Sequence, residues 1–256
     1  MVQKASLVRA SQLVLSSALA HNRIEARGNE IAIGASATVS DLERSELLLQ
    51  EIPHLAHITK LIASPQIRSR ATVAGNIVNA SPIGDLAILL LALDASLVIE
   101  GAKGSLSVPL ERFFLGYKRV DLRPDELIVE LLVPKRGGRR LVSFEKVSKR
   151  EHLDIATVNS ACAVEVDEAG CVLSARLSAG GVAPVPKVLE ATSQAIVGRR
   201  LDSIDLGELI RAASSEISPI DDVRGSAAYK SALLERMIAA HFESLVARYA
   251  TLGNTP

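Results

Sequence analysis

The stretch "ATVAGNIVNASPIGDL", residues 71–86, holds Gly75, Gly84, Asn76, Asn79, Ser81, one proline and Asp85, and it leads straight into the hydrocarbon run "LAILLLAL" at 86–93. A segment so short of side chain leaves its main chain open. Glycine at 75 has no Cβ to keep a ligand off the backbone, and backbone N–H groups exposed in a loop form an anion-binding nest. Asn76, Asn79 and Ser81 are short donors with reach to phosphate or sugar oxygens. Asp85, at the head of the next helix, has oxygens that either cap free N–H groups or accept from ligand hydroxyls. The same residues also spell a plain polar turn with Asp85 as N-cap. Neither GxGxxG nor GxxxxGK[ST] occurs, which removes the Rossmann and P-loop mechanisms.

Outward from this stretch the chain alternates hairpins and helices. "RIEAR", the turn "GNE" and "IAIGASAT" predict a hairpin over 23–38. Ser40 and Glu43 spell a capping box ahead of "LERSELLLQ", and Pro53 suits the first turn of a helix reaching about Ile62. The run 86–93 is apolar on every side, as a fully buried helix is. "ASLVIE" and "SLSVPL" around "GAKG" predict a second hairpin, and "DELIVELLVP" a strand closed by Pro134. The charged, Gly-bearing "KRGGRR" at 135–140 reads as an interdomain linker. Three strands follow, "LVSFEKVS", "ATVNSACAVEV" and "CVLSARLSAGGVA", the last two joined by "DEAG", and then a helical tail. Its last helix starts near Ser226 with an apolar stripe at Tyr229, Leu233, Leu234, Met237, Ile238, Phe242, Leu245 and Val246. Two α+β units in tandem, 1–135 and 141–250, account for the whole pattern.

Composition narrows the function. The 256 residues are 48% hydrophobic and 23% charged, with 29 basic and 29 acidic side chains, so the chain folds and has no excess cation for tracking nucleic acid. Cys162 and Cys171 are the only cysteines and make no CxxC, too few for an iron–sulfur cluster or a disulfide scaffold. A reducing, cytoplasmic setting is expected, with no membrane span. Lys4 and Arg9 precede "LVLSSALA", but Ser16 and Ser17 interrupt the apolar run, so a signal peptide is not expected and Asn79-Ala80-Ser81 is an idle glycosylation match. His54 and His57 lie one helical turn apart without a third ligand, so no metal site is read. His21, His152 with Asp154, and His241 support no catalytic triad.

Four segments together resemble a known family. "IASPQIRSRATVAGNIVNASPIGDL", "FFLGYKRVDLRPDELIVELLVP", "FEKVSKREHLDIATV" and "DVRGSAAYKSALLERM" are similar, in order, to motifs of the flavin-binding part of molybdenum hydroxylases, the xanthine dehydrogenase family. The resemblance covers about 220 residues. It implies an FAD-binding domain of the vanillyl-alcohol-oxidase or PCMH type over 1–135, then an α+β, CO-dehydrogenase-flavoprotein-like C-terminal domain over 141–250 with an antiparallel sheet and helices. It also implies that Thr72, Gly75, Asn76, Asn79 and Ser81 cradle the FAD pyrophosphate and ribityl chain and that Asp85 accepts from flavin-side hydroxyls. Ile62 and Ile128 would lie beside the rings and Lys146 near the isoalloxazine, the alternatives being core packing for the isoleucines and a solvated strand position for the lysine.

This chain departs from the family at Ala74, where the family has glycine, which is tolerable if Ala74 keeps negative φ. It also lacks the family's first Gly-rich FAD loop before "MVQKASLV" and so reads as N-terminally truncated. The implied function is oxidoreductase electron transfer from [2Fe-2S] clusters through FAD to NAD or another acceptor. Molybdopterin and clusters would reside on an iron–sulfur subunit and a molybdopterin-binding subunit, with no catalytic acid, base or nucleophile here. The alternatives are an FAD-free docking or assembly subunit that retains the fold and, less supported by a 3% aromatic content, a stand-alone flavin oxidase.

Overall fold

The computed structural model describes residues 21–136, 140–150 and 153–252. The charged-then-apolar start, the centre of "KRGGRR" and His152 lie outside the described residues.

The first unit opens with the expected hairpin, β1 (Ile24–Arg27) and β2 (Glu30–Gly34), closed through Gly28 at φ 59°. Five short helices follow: α1 (Val39–Arg44), α2 (Glu46–Glu51), α3 (Leu55–Lys60), α4 (Pro65–Arg68) and α5 (Val73–Val78). The buried helix α6 (Asp85–Ala92) comes next. The strands β3 (Ser96–Gly101) and β4 (Gly104–Pro109) form the second hairpin, α7 (Leu110–Phe113) leads into the small ribbon β5 (Phe114–Gly116) and β6 (Arg119–Val120), and β7 (Leu127–Pro134) closes the unit. The main sheet is antiparallel in the order β1-β2-β7-β3-β4.

Three boundaries differ from expectation. The capping box is Thr38 with Asp41, not Ser40 with Glu43, because Thr38 has the extended backbone that a cap requires. The helix after it breaks at Ser45, which caps α2 with its own hydroxyl. Pro53 precedes α3 instead of sitting in its first turn, and His54 occupies the N-cap position.

The second unit is an antiparallel sheet in the order β11-β10-β9-β8, from β8 (Arg140–Val147), β9 (Val158–Val166), β10 (Val172–Gly180) and β11 (Lys187–Val188). Helices α8 (Glu190–Gln194), α9 (Leu206–Glu216) and α10 (Ala227–Leu252) gather on one face. Helix α6 of the first unit covers the other face, against β9 and β10. The strands alternate accordingly: Val142, Phe144, Ala161 and Ala163 belong to the core around α6, whereas Leu141, Cys162 and Val164 belong to the core under α10. Small alanines on the α6 side let that helix approach closely. Lying between the second sheet and the helices α5 and α7 of its own unit, α6 buries every residue from Leu86 to Ala92, which is why its sequence has no polar side.

Helix α10 carries the expected stripe at Leu234, Met237, Ile238, Phe242 and Leu245, all buried. Tyr229 is half exposed instead, and Lys230 is the buried residue, donating to Ile220 O at 2.8 Å and Asp222 at 2.7 Å. Arg224 Nη1 donates to Ile155 O at 3.1 Å. No helix among the described residues is long and apolar enough to cross a membrane.

A buried polar chain crosses the second sheet. Ser160 Oγ donates to Ser178 O, so it must accept from His241 Nε2–H at 3.0 Å, which leaves Nδ1 to accept from the Ser143 hydroxyl at 2.9 Å. Burial with Arg248 nearby lowers its pKa to about 3 and keeps the ring neutral, the form in which Nδ1 accepts. Because the folded pKa lies below the unfolded value, His241 costs stability as pH falls below 6.5, where only the unfolded chain takes up the proton. In urea unfolding the parent should lose up to about 1.4 kcal/mol per pH unit below that point relative to His241→Gln. Parallel pH profiles would show that the ring is protonated in the fold.

Candidate functional site

The glycine- and asparagine-rich stretch is more ordered than its composition indicates. Thr72 caps α5, accepting from Gly75 N–H at 3.2 Å. The neighbouring N–H groups are also engaged, Val73 with Ala37 O at 2.9 Å, Ala74 with Ala35 O at 3.4 Å and Asn76 with Thr72 O at 3.1 Å. The expected open nest is thus corrected: helix formation and pairing to residues 35–37 use these donors. Ala74 sits in helix α5 and is not among the positive-φ residues, so its methyl group is accommodated. Gly75 is exposed, and a Cβ there would press only on the Thr72 hydroxyl. Asn76 Oδ1 is buried without a donor, an acceptor that a ligand hydroxyl would satisfy.

Asp85 does not cap α6. Gly84 holds the N-cap position, and Asp85 turns both carboxylate oxygens to the second unit. Oδ2 meets Lys146 Nζ at 2.8 Å, and Oδ1 accepts from Asn159 Nδ2 at 2.7 Å. The lysine also donates to Leu61 O at 2.7 Å, and Asn159 to Ile83 O at 3.2 Å. Lys146 is therefore no solvated strand lysine; its side chain is 5% exposed. Burial pushes the Asp85 carboxyl up from its ordinary value, while Lys146 and Asn159 pull against that shift. Beside this cluster Gly181 N–H donates to Pro82 O at 3.0 Å, and a Cβ on Gly180 would overlap Asn159 Oδ1 and Pro82 O.

Directly above this seam lies a cleft of about 480 Å³, within the range of about 300–1,000 Å³ common for small-molecule sites. Its walls come from all four segments that carry the resemblance. Asn79 and Ser81 come from the first, Tyr117 and Lys118 from the second, Ile155 and Thr157 from the third, and Asp222, Arg224 and Lys230 from the fourth. Tyr117, Ile155 and Ile220 stand 67%, 55% and 70% exposed, apolar surface of the kind a bound ring covers. An apolar-walled slot with amide, hydroxyl and basic groups at its edges fits the ring of a flavin, which presents flat apolar faces and a hydrogen-bonding rim.

The structure thus brings Asn79 and Ser81 to the cleft, and Thr72, Gly75 and Asn76 along the helix leading to it. Asp85 and Lys146 lie beneath it. Ile62 and Ile128 are core residues, 6% and 8% exposed, and do not line it. Tyr117, Lys118, Ile155 and Arg224 were not singled out as ligand residues, although the motifs containing them were. His54 and His57 are exposed on α3, and no group of three metal-ligating side chains exists among the described residues.

Both halves of the chain are similar to known proteins. Residues 1–136 match the family described as FAD binding domain in molybdopterin dehydrogenase, and residues 143–245 match the CO dehydrogenase flavoprotein C-terminal domain. The chain is 33% identical to the carbon monoxide dehydrogenase medium chain of Hydrogenophaga pseudoflava, over 89% of this chain and 78% of that protein. It is 31% identical to the 6-hydroxypseudooxynicotine dehydrogenase complex subunit alpha of Paenarthrobacter nicotinovorans, over 81% and 70%. The reconstituted CO dehydrogenase from Oligotropha carboxidovorans superposes with a TM-score of 0.84 at 28% identity, covering 89% of this chain and 79% of that one. With both halves matched, in order, along a mixed fold of antiparallel sheets and helices, the chain belongs to the FAD-subunit family of the molybdenum hydroxylases.

Proposed function

We propose that this chain is the electron-transferring flavoprotein subunit of a molybdenum hydroxylase, with FAD bound through residues 71–81 and its ring in the interdomain cleft. The observation that carries the reading is the convergence of four separated segments on one cleft. Residues 1–135 serve as the FAD-binding domain and 141–250 as the flavoprotein C-terminal domain. When bound, FAD would supply the redox chemistry, accepting electrons from iron–sulfur clusters on one partner and yielding a pair to NAD or another acceptor. A molybdopterin-binding partner would oxidise the substrate, in keeping with relatives named as medium chains and complex subunits.

The chain's own residues bind and orient. Asn76 Oδ1 is a free buried acceptor for a ribityl hydroxyl, and Asn79 and Ser81 border the slot. Tyr117, Ile155 and Ile220 exclude water from the ring faces, and the Lys118 and Arg224 side chains add positive charge at the rim. Free thiols at Cys162 and Cys171 support a cytoplasmic location, and burial raises the Cys162 pKa, which removes it from thiol chemistry. The engaged N–H groups of α5 favour a second reading, a subunit that docks without FAD.

Purified chain mixed with FAD should show bound flavin bands after desalting; a colourless product would favour docking. Ile155→Ala should move stability by no more than about 0.5 kcal/mol, since the side chain is exposed. It should weaken FAD by about fivefold, the equivalent of about 1 kcal/mol of lost apolar contact. NADH added anaerobically should bleach the flavin if the acceptor is NAD. Flavin that stays oxidised, yet is reduced by a dithionite control, would assign the electrons to another acceptor.

A further inference from the structure

We propose that Lys230 is a positioning residue of the flavin cleft: from the first turn of α10 it anchors residues 218–225, the segment that supplies the wall at Ile220 and Arg224 and that reaches Ile155 through Arg224. The inference rests on the flavin reading above and deepens it.

The segment has no apolar anchor of its own. None of the residues from Ser218 to Ser226 is buried, and its two large apolar side chains, Ile220 and Val223, stand 70% and 88% exposed. Burial of hydrocarbon therefore does little to hold it in place. What holds it is polar. Ser218 N–H donates to Val182 O at 2.8 Å at one end, and Asp221 accepts from Ala227 N–H at 2.6 Å at the other. Between them Lys149 Nζ reaches Val223 O at 2.6 Å and Arg224 Nη1 reaches Ile155 O at 3.1 Å, both at the exposed surface, where water competes for the same groups.

Lys230 differs in being enclosed. Its side chain is 2% exposed, and its ammonium donates to Ile220 O at 2.8 Å and meets Asp222 Oδ2 at 2.7 Å, so one buried cation fixes two points of the segment. Asp222 passes the constraint on. Its Oδ1 accepts from Arg224 N–H at 2.8 Å, and its main chain exchanges two hydrogen bonds with Gly225, at 3.1 and 3.2 Å. The hydrogen bond from Lys230 also holds the Asp222 carboxyl below its ordinary range, which keeps the acceptor ionised. A buried ammonium that lost these partners would find no water to replace them, so the segment is held where the lysine requires it. Ile220, Asp222, Arg224 and Ile155 all line the cleft, and a segment that leaves Lys230 takes one wall with it. Lys230 itself also borders the cleft, so holding the wall must be separated from touching the ligand.

The test uses the full chain and the variants Lys230→Met, Lys230→Arg and Asp222→Ala. Methionine fills the buried channel without charge, arginine restores charge and donors, and Asp222→Ala breaks the pair from its more exposed end. Two quantities are measured: amide exchange of Gly225 in the cofactor-free protein, with amides in the middle of β9 as the control for the fold, and FAD affinity by fluorescence titration. Lys230→Met and Asp222→Ala should exchange Gly225 faster than the parent while β9 stays protected. With the wall in place in about one molecule in ten, FAD binds about tenfold more weakly. Lys230→Arg should recover both quantities together.

A variant whose β9 amides lose protection is set aside as unfolded, and the others decide; Asp222→Ala alters a side chain 38% exposed and so leaves the core intact. Weaker FAD binding with Gly225 exchange unchanged would overturn the proposal in favour of direct contact with the ligand. Faster Gly225 exchange with FAD affinity retained would overturn it in favour of a pair that serves the fold alone. A parent chain that takes up no FAD, while Gly225 protection falls in Lys230→Met and Asp222→Ala, would sink the flavin reading and leave Lys230 as the anchor of the segment only.

Discussion

Everything in this molecule is arranged around the enclosure of α6, a helix of the first unit that serves as core for the second. With the second sheet on one side and α5 and α7 of its own unit among its other neighbours, it has no solvent face on which to satisfy its ends, and the second unit satisfies them. At the C-terminus Asp94 adopts the left-handed conformation, and the N–H groups of Asp94 and Ala95 return to Leu91 O and Leu90 O, a Schellman closure with aspartate where glycine is usual. Arg176 Nε then donates to Leu91 O and Arg140 Nη2 to Leu93 O, each at 3.1 Å. The Asp94 carboxylate binds the guanidinium groups of Arg136 and Arg176. At the other end stands Asp85. Acid at the N-terminus and guanidinium at the C-terminus both oppose the ends of the helix dipole favourably. The two units are thus joined by a shared core element and cannot separate without exposing it.

Sequence reading recovered this helix because an unbroken hydrocarbon run has one physical use in a protein of this size. It recovered the hairpins because period-two alternation around a turn is local information. The errors lie where the deciding contact is distant or the signal is repeated. Thr38 with Asp41 and Ser40 with Glu43 spell the same box two residues apart, and only the backbone angle at Thr38 selects between them. Residues 71–85 were read as an open segment or polar turn, and α4 went unread, because α4 and α5, of four and six residues, are too short to show a periodic stripe. Their helical state comes from hydroxyl caps at Ser64 and Thr72. A solvated strand position was one reading of Lys146, and it fails because the lysine's partner stands 61 residues away in the chain. Gly180 and Gly181 read as the end of a strand, although their real constraint is the backbone of Pro82.

The ionisable residues that elsewhere form acid–base machinery are used here for construction. His241 is held neutral between two serines, Cys162 is buried, Lys230 is committed to Asp222 and Ile220 O, and Asp85 to Lys146 and Asn159. That distribution agrees with a subunit whose chemistry belongs to a cofactor: a flavin site requires apolar faces, a few hydrogen bonds and fixed walls, and no proton shuttle. It also explains why a search for triads and metal spacings finds nothing while four motifs without catalytic residues types converge on one cleft.

A cleft shared by two units has a thermodynamic consequence. A ligand that touches both walls binds only the assembled arrangement, so its binding free energy adds to that of the interface. By reciprocity, whatever opens the interface lowers affinity for the ligand in proportion to the fraction of chains left assembled, whether or not it touches the ligand. Residues far from the ring, such as Arg140 and Arg176 at the distant end of α6, therefore act on the same equilibrium as Tyr117 or Ile155, though through packing that varies less steeply with small displacements. Asp85 stands where the two effects meet. It is two residues from the cleft wall at Ile83 and is bonded to Lys146 and Asn159 of the second sheet.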